Sequence, residues 1–326
     1  MTDKMRIIIC GAGAVGGVVG GLLALSGTPV TLIGRPNNVN AIRESGLKLL
    51  TPDGTHIVQL PAVTSPDQIE CGPADIVFLC VKSQDTEQVV RDLSAVVKDI
   101  PVFCFQNRVR NEEIAHRYFP RVYGVMVKAG AVFIHDGEVE SRGKPPGRLV
   151  IGCYPEGKDA LAESVAVNLR QAGYDVLVTP EIMPCKWGKL LENLANAVGA
   201  VTNVPGGETN RIAAAVQDEG KAILARAGIR WITVENIAVR PPKDVIRPQN
   251  DLYGVPLGST WQSLVRGQGT VETDFLNGEI VRLAAKLGTK APINDALLRI
   301  TAEMAANQEK PGKYTPAELL KLLKLE

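Results

Sequence analysis

Apolar residues in the first half of the chain fall in short unbroken runs: Arg6-Ile-Ile-Ile-Cys10, Pro29-Val-Thr-Leu-Ile33, Ala74-Asp-Ile-Val-Phe-Leu-Cys-Val81 and Pro101-Val-Phe-Cys-Phe105. Runs of this length, rich in β-branched residues, predict strands buried on both faces of a parallel sheet. Helical spacing separates them at Gly17–Leu25, Val39–Ser45, Thr86–Val97, a segment ending near Tyr118, and Asp159–Ala172. Shorter strands are predicted at Leu47–Leu50, His56–Leu60, Val122–Val127, Ala131–His135, Glu138–Ser141, Leu149–Ile151 and Tyr174–Val178. Past Pro180 and Pro184, which break the chain, the pattern turns almost wholly helical, over 186–202, 209–228, 232–238, 259–266, 270–287, 291–306 and 316–325. A loop at 240–257, carrying prolines 241, 242, 248 and 256, interrupts this half. A loop that long is more often functional than incidental, so it is expected to move on binding. The pattern predicts an α/β chain with an N-terminal β/α domain over 1–180 and an all-helical C-terminal domain over 181–326.

The first strand leads into Gly11-Ala-Gly13-Ala-Val-Gly16 and a helix of small residues. This is G-x-G-x-x-G between a strand and a helix. Gly11 permits the tight turn, Gly13 lets the backbone approach a pyrophosphate, and Gly16 allows close helix–strand packing. The helix start at Ala14 and Val15 offers free N–H groups and the positive end of its dipole. A Gly-rich structural turn is the alternative, but the second strand follows at the proper distance. The first domain is therefore expected to be a Rossmann-type dinucleotide-binding domain. After its second strand, Ile33-Gly-Arg35-Pro-Asn-Asn38 carries no carboxylate for ribose hydroxyls. Arg35 stands where a guanidinium could pair with a 2′-phosphate, which predicts NADP; a solvated loop charge is the other reading. Lys82 and Gln84 follow the strand at 74–81, where carboxyl ends face the ligand crevice, and are candidate cofactor contacts.

In the helical half, Lys189, Asn193 and Asn196 fall on one helical face amid Leu190, Leu191, Leu194, Ala195, Ala197 and Val198. An ammonium and two amides in so apolar a helix need partners, because unpaired buried polar groups cost about 1–3 kcal/mol each. Either the amides join helices and Lys189 snorkels to water, or the stripe binds something.

Composition narrows the picture by exclusion. The 326 residues are 45% apolar and 22% charged with a net charge of +1, so bulk electrostatics favours neither nucleic acid nor an acidic membrane. No run reaches the length of a membrane span, and the opening Met1-Thr-Asp-Lys-Met-Arg lacks the apolar core of a signal peptide, so a cytoplasmic location is expected. Six cysteines at 10, 71, 80, 104, 153 and 185 form no CxxC, and His56, His116 and His135 share no motif, so no metal site is expected.

Together with Gln106-Asn107 and Lys186–Asn196, these features make the chain resemble the ketopantoate reductase family (2-dehydropantoate 2-reductases) over essentially its whole length. The specific signatures are Trp187-Gly-Lys189-Leu-Leu-Glu-Asn193-Leu-Ala-Asn196, Ser259-Thr-Trp-Gln262 and Glu272-Thr-Asp-Phe-Leu-Asn277-Gly278. The resemblance implies NADPH-dependent reduction of a small 2-oxo acid to a 2-hydroxy acid, with 2-dehydropantoate the first candidate. It implies Lys189 and Glu272 as catalytic residues and Asn107, Asn193, Asn196 and Ser259 at the substrate. Asn107 and Glu272 are expected at the cofactor too, and a homodimer is the expected assembly. Read without the resemblance, Glu272 fits the first turn of a helix and Ser259 fits an N-cap.

Three departures from the family pattern bear on the substrate. The loop usually written Q-N-G-x-G-N is Gln106-Asn-Arg-Val-Arg-Asn111 here, so two arginines must take over glycine conformations at a cost, or the loop is reshaped. These cations could recruit a second acidic group, crowd the site, or sit idle on the surface. Gly206 stands where another Asn is common, and Asn196 is offset by one residue. The alternatives are therefore a family member for another branched or larger 2-oxo acid, or a non-catalytic NADP-binding protein.

Overall fold

The computed structural model describes residues 5–233, 236–237, 258–267 and 269–326. The expected loop at 240–257 and part of the expected helix at 232–238 lie outside the described residues. These divide into two compact units, one of residues up to 186 with 236–237, the other of 187–233 with 258–326.

The first unit holds twelve strands among the described residues: β1 Arg6–Cys10, β2 Val30–Ile33, β3 Leu47–Thr51, β4 Gly54–Val58, β5 Ala62–Val63, β6 Asp75–Leu79, β7 Val102–Cys104, β8 Val122–Ala129, β9 Ala131–His135, β10 Glu138–Ser141, β11 Gly147–Cys153 and β12 Asp175–Val178. Eight form one sheet in the order β12-β11-β8-β7-β6-β1-β2-β5, parallel throughout except for the antiparallel pair β8 and β11. Along β1, Ile7 and Ile9 enter the core on one face and Ile8 and Cys10 that on the other. That is why this strand reads as an uninterrupted apolar run. Each such isoleucine, fully buried, contributes about 1.5–3 kcal/mol.

The sequence pattern placed the short strands of 47–60 and 131–141 correctly but not their pairing. They form a separate sheet, β4-β3-β10-β9, in which β10 pairs in parallel with β3 some ninety residues earlier. Helix α1 (Ala14–Leu25) packs against both sheets. A Cβ on Gly20 would sit 2.9 Å from Ile9 and Leu32 of the large sheet, and one on Gly17 2.8 Å from Val139 of the small one. A helix covered on two sides needs small residues on both, which accounts for its glycine content. The other helices of this unit are α2 (Pro36–Ser45), α3 (Thr86–Val96), α4 (Asn111–His116) and α5 (Ala160–Gln171).

Helix α6 (Ile182–Asn193) begins in the first unit and continues into the second. There follow α7 (Ala195–Thr202), α8 (Gly207–Arg226), α9 (Ser259–Val265), α10 (Asn277–Lys286), α11 (Pro292–Ala306) and α12 (Pro316–Leu322). α8 lies close on the preceding pair: a Cβ on Gly220 would meet Leu194 at 2.7 Å and Leu191 at 2.9 Å. Gly206, before α8, has φ 85° and ψ −176°, a conformation essentially reserved to glycine. The backbone therefore demands glycine at this departure from the family pattern. No helix among the described residues is long and apolar enough to cross a membrane.

Candidate active site

The glycine loop leaves β1 at the centre of the large sheet, where the chain crosses from β1–β2 on one side to β6 on the other. Gly11 has φ 110°, and a Cβ on it would lie 2.7 Å from the Val81 nitrogen. A Cβ on Gly16 would lie 2.0 Å from the Gly11 carbonyl oxygen. The protein's own backbone therefore requires both glycines. Gly13 differs: a Cβ there meets nothing within 4 Å. It opens a cradle at the start of α1, where no side chain caps the helix among the described residues and no acidic residue occupies the first turn. As the first residues of α1, Ala14, Val15 and Gly16 have no carbonyl of a preceding turn to donate to, which leaves N–H groups of the kind a pyrophosphate takes. Gly13→Ala is expected to leave the melting temperature within about 2 °C and weaken dinucleotide binding. Gly16→Ala is expected to destabilise the fold by about 1–3 kcal/mol or more, as overpacking does. Thermal melts with a fluorescence titration of NADPH distinguish the two; equal loss of stability in both would contradict the assignment.

Groups outside the glycine motif hold this loop and its neighbours. Asn38, buried in α2, donates to the Ala12 carbonyl at 2.8 Å and accepts from the Gly137 N–H at 2.7 Å. Arg35, three residues earlier at the start of α2, is exposed. Lys82 is half-buried and Gln84 exposed, on the turn after β6. That turn is fixed from behind: Gln106 donates to the Val81 carbonyl and the Thr86 hydroxyl, both at 2.9 Å. Thr86 donates to Asn111 at 2.9 Å, and Asn111 to Ser83 at 3.3 Å.

In the loop after β7, the Asn107 amide donates to the Val127 carbonyl at 2.6 Å and accepts from the Val127 N–H at 2.8 Å, stitching the loop to β8. Neither neighbouring arginine adopts a left-handed backbone, so the expected glycine-like strain is absent: Arg110 has φ −102°. Nor does Arg108 sit on the surface; it is 5% exposed, with its guanidinium donating to the Asn107 carbonyl at 3.0 Å. The loop has been reshaped around a buried cation. Below it Lys186, 1% exposed, donates to the Gln106 carbonyl at 2.7 Å and pairs with the fully buried Glu112 carboxylate. Burial pushes the Glu112 carboxyl above its usual 4.5, and Lys186 draws it back. Its polar, charged surroundings gave no hint that Glu112, in the first turn of α4, would be internal.

In the second unit, Lys189 does not snorkel. It is 8% exposed, and its ammonium donates to the Glu192 carboxylate at 2.8 Å. Gly188 beside it is required by close approach, since a Cβ there would fall 1.8 Å from the Ile232 carbonyl oxygen. The helix expected over 186–202 is divided: α6 stops at Asn193 and α7 starts at Ala195, and Leu194 between them, still helical at φ −56° and ψ −33°, is a joint in the hydrogen-bond pattern and not a bend. Asn193 and Asn196, both half-buried, thus stand on opposite sides of a joint. A Cβ on Gly258 would come 2.6 Å from the Asn196 Oδ1, so the Asn196 amide lies directly against the start of α9. Gly258 is the N-cap of α9 and Ser259 its first residue, which corrects the N-cap reading of Ser259. Glu272, half-buried, opens a single 3-10 turn over Glu272–Phe275, ended by the non-helical Leu276. It is not in the first turn of an α-helix, since α10 begins only at Asn277. α9 packs against both α7 and this turn. Lys189, Asn193, Asn196, Ser259 and Glu272 all belong to the second unit, on α6, α7, α9 and the Glu272 turn, and supply an ammonium, two amides, a hydroxyl and a carboxylate. Among the described residues no group of three or more His, Cys, Asp or Glu side chains could hold a metal ion.

Residues 7–156 match the model of the family Ketopantoate reductase PanE/ApbA, and residues 181–305 match that of its C-terminal domain. A 2-dehydropantoate 2-reductase of Pyrococcus horikoshii is 34% identical over 298 residues, 89% of this chain and 94% of that protein. The crystal structure of a PanE/ApbA family ketopantoate reductase from Ralstonia eutropha superposes with a TM-score of 0.77 at 29% identity, covering 93% of this chain and 99% of that one. D-mandelate dehydrogenase, solved with NADH and anilino(oxo)acetate, shares the fold at a TM-score of 0.80 and 24% identity, covering 93% and 99%. The chain belongs to the ketopantoate reductase family, and as such is an oxidoreductase acting on a CH–OH group.

Proposed function

We propose that this chain reduces 2-dehydropantoate to pantoate with NADPH. The observation that carries the reading is Lys189, 8% exposed on an apolar helix with its ammonium paired to Glu192, in the run that also carries Asn193 and Asn196. The Gly11–Gly16 loop would hold the pyrophosphate, Arg35 the 2′-phosphate, and Lys82, Gln84, Asn107 and Glu272 the rest of the cofactor. When bound, a reduced nicotinamide dinucleotide supplies the hydride. The chain's own part is to orient the 2-oxo acid and manage charge on its carbonyl oxygen. As the carbonyl carbon is reduced, negative charge builds on that oxygen; Lys189 Nζ stabilises it and gives up a proton to form the hydroxyl. The Glu192 carboxylate holds the ammonium in place until substrate arrives. Asn193, Asn196 and Ser259 offer donors for the substrate carboxylate, and Glu272 accepts from its hydroxyl.

A larger 2-oxo acid is the second reading, favoured by the buried Arg108 beside Asn107. Loss of NADPH absorbance with a panel of 2-oxo acids decides between them. Highest kcat/KM on 2-dehydropantoate supports the first, and NADPH binding without turnover on any acid would overturn both. Arg35→Asp is expected to weaken NADPH binding by about 1.5–3 kcal/mol, the worth of a hydrogen bond to a charged group, and to narrow the gap to NADH. An unchanged NADPH-to-NADH ratio would remove Arg35 from the phosphate site. The family models, matching 7–156 and 181–305, support a division near 180; the part over 1–180 would hold the cofactor, and that over 181–326 the substrate and the dimer contact. A cytoplasmic homodimer completes the reading, and light scattering measures its mass.

A further inference from the structure

The joint at Leu194 separates the two amides expected to hold substrate, and a buried polar chain ends on it. The Leu194 N–H is shared between the Leu190 and Leu191 carbonyls at 3.0 and 3.3 Å, so α6 tightens there before α7 restarts. The Leu194 carbonyl accepts from the Asn277 amide at 3.4 Å. The same Asn277 nitrogen donates to Asn294 Oδ1 at 2.9 Å. Asn294 donates in turn to the Val216 carbonyl at 3.2 Å and the Glu219 carboxylate at 2.8 Å. Glu219 also accepts the N–H groups of Ile293 and Asn294, at 3.0 and 2.8 Å, at the start of α11. Asn277 and Asn294 are both fully buried. Three helices, α8, α10 and α11, are thereby tied to one point on the helix that carries the polar stripe.

Two features indicate a role beyond holding helices together. Asn277 Oδ1 has no hydrogen-bond partner among the described residues. An acceptor left bare in the interior lowers stability, and an apolar residue of similar volume would avoid that cost. Asn277 is also the first residue of α10, directly after the turn that bears Glu272. Through one side chain it links the Glu272 turn to the joint between Asn193 and Asn196.

We infer that Asn277, braced by Asn294 and Glu219, is a positioning residue that holds Asn193 and Asn196 in register against Glu272. It touches no substrate; it determines which shape of 2-oxo acid the three groups can hold together. The inference rests on the proposed function and goes beyond it by naming what fixes the substrate pocket.

The test is steady-state kinetics with NADPH and 2-dehydropantoate, or the best acid of the panel, on the full-length parent, Asn277→Leu and Asn277→Ser. NADPH affinity and melting temperature are measured alongside. The expected result is a KM raised tenfold or more in whichever variants fold, a kcat that falls less than KM rises, and an NADPH Kd within twofold of the parent. The serine variant, the smaller change, keeps the test alive if the leucine variant does not fold. A melting temperature that drops while KM stays within twofold makes Asn277 merely structural and overturns the inference alone. An NADPH Kd that rises in step with KM overturns it too, since the whole protein is then loosened. A parent that turns over no 2-oxo acid overturns the proposed function and the inference with it.

Discussion

Lys189→Ala is expected to lower kcat by about two to four orders of magnitude, the usual contribution of a positioned acid, or roughly 3–5 kcal/mol of barrier. NADPH affinity and the fold should stay close to the parent's. The effect is large because Lys189 as a whole is only 8% exposed, and charge stabilisation is stronger where water is excluded. The structural cost is small because the partner left behind, Glu192, has a side chain 38% accessible and can turn to solvent. Lys189→Arg should restore little. A guanidinium keeps the charge but holds its proton too tightly to act as the acid, and its planar fork does not fit a site shaped for a point charge. Steady-state kinetics with a parallel NADPH titration measures both quantities. A kcat within threefold of the parent would take the lysine out of the chemistry.

The largest stability effect is expected at Lys186, one turn earlier on the same helix. Lys186→Met should destabilise the protein by about 3–5 kcal/mol, since it strands the fully buried Glu112 carboxylate. It also removes the donor to the Gln106 carbonyl. Glu112→Leu combined with Lys186→Met should recover most of the loss, because replacing both charges by apolar groups removes two desolvation costs together. The pH dependence has a definite sign. Burial already pushes the Glu112 carboxyl above its usual 4.5, and Lys186 is what pulls it down. Without Lys186 the folded carboxyl rises further while the unfolded one does not. The folded variant then binds the proton more tightly than the unfolded chain, so its stability falls as pH rises above about 4.5 and is regained as pH falls toward that value. Urea melts from neutral pH down to pH near 5 should show the gap between parent and variant narrowing on acidification. A gap that widens would mean that Glu112 is not the stranded charge.

Both predictions concern lysines on α6, and the sequence treated them differently. Lys189 stood out because its neighbours at helical spacing are apolar. Lys186 did not, because it opens the run and its partner Glu112 lies 74 residues away. The glycines divide the same way. The spacing of Gly11, Gly13 and Gly16 predicts a phosphate-binding turn. Only the coordinates separate Gly11 and Gly16, which the backbone itself requires, from Gly13, which it does not. For the arginines of the 106–111 loop, the family pattern suggested strained backbone. The dihedral angles show none at Arg110, and Arg108 is interior.

By itself the sequence determined the class of fold and the order of nearly all strands and helices. These follow from local periods of two and 3.6 residues and from turns a few residues long. Only the tertiary structure decided that residues 47–58 and 131–141 form a sheet of their own, that Lys186 and Glu112 are an internal pair, and that the stripe of Lys189, Asn193 and Asn196 is jointed at Leu194. Each depends on a partner distant in the chain: β3 for β10, Glu112 for Lys186, Asn277 for Leu194. Which partner meets which is set by how the whole chain packs, and no local period records it.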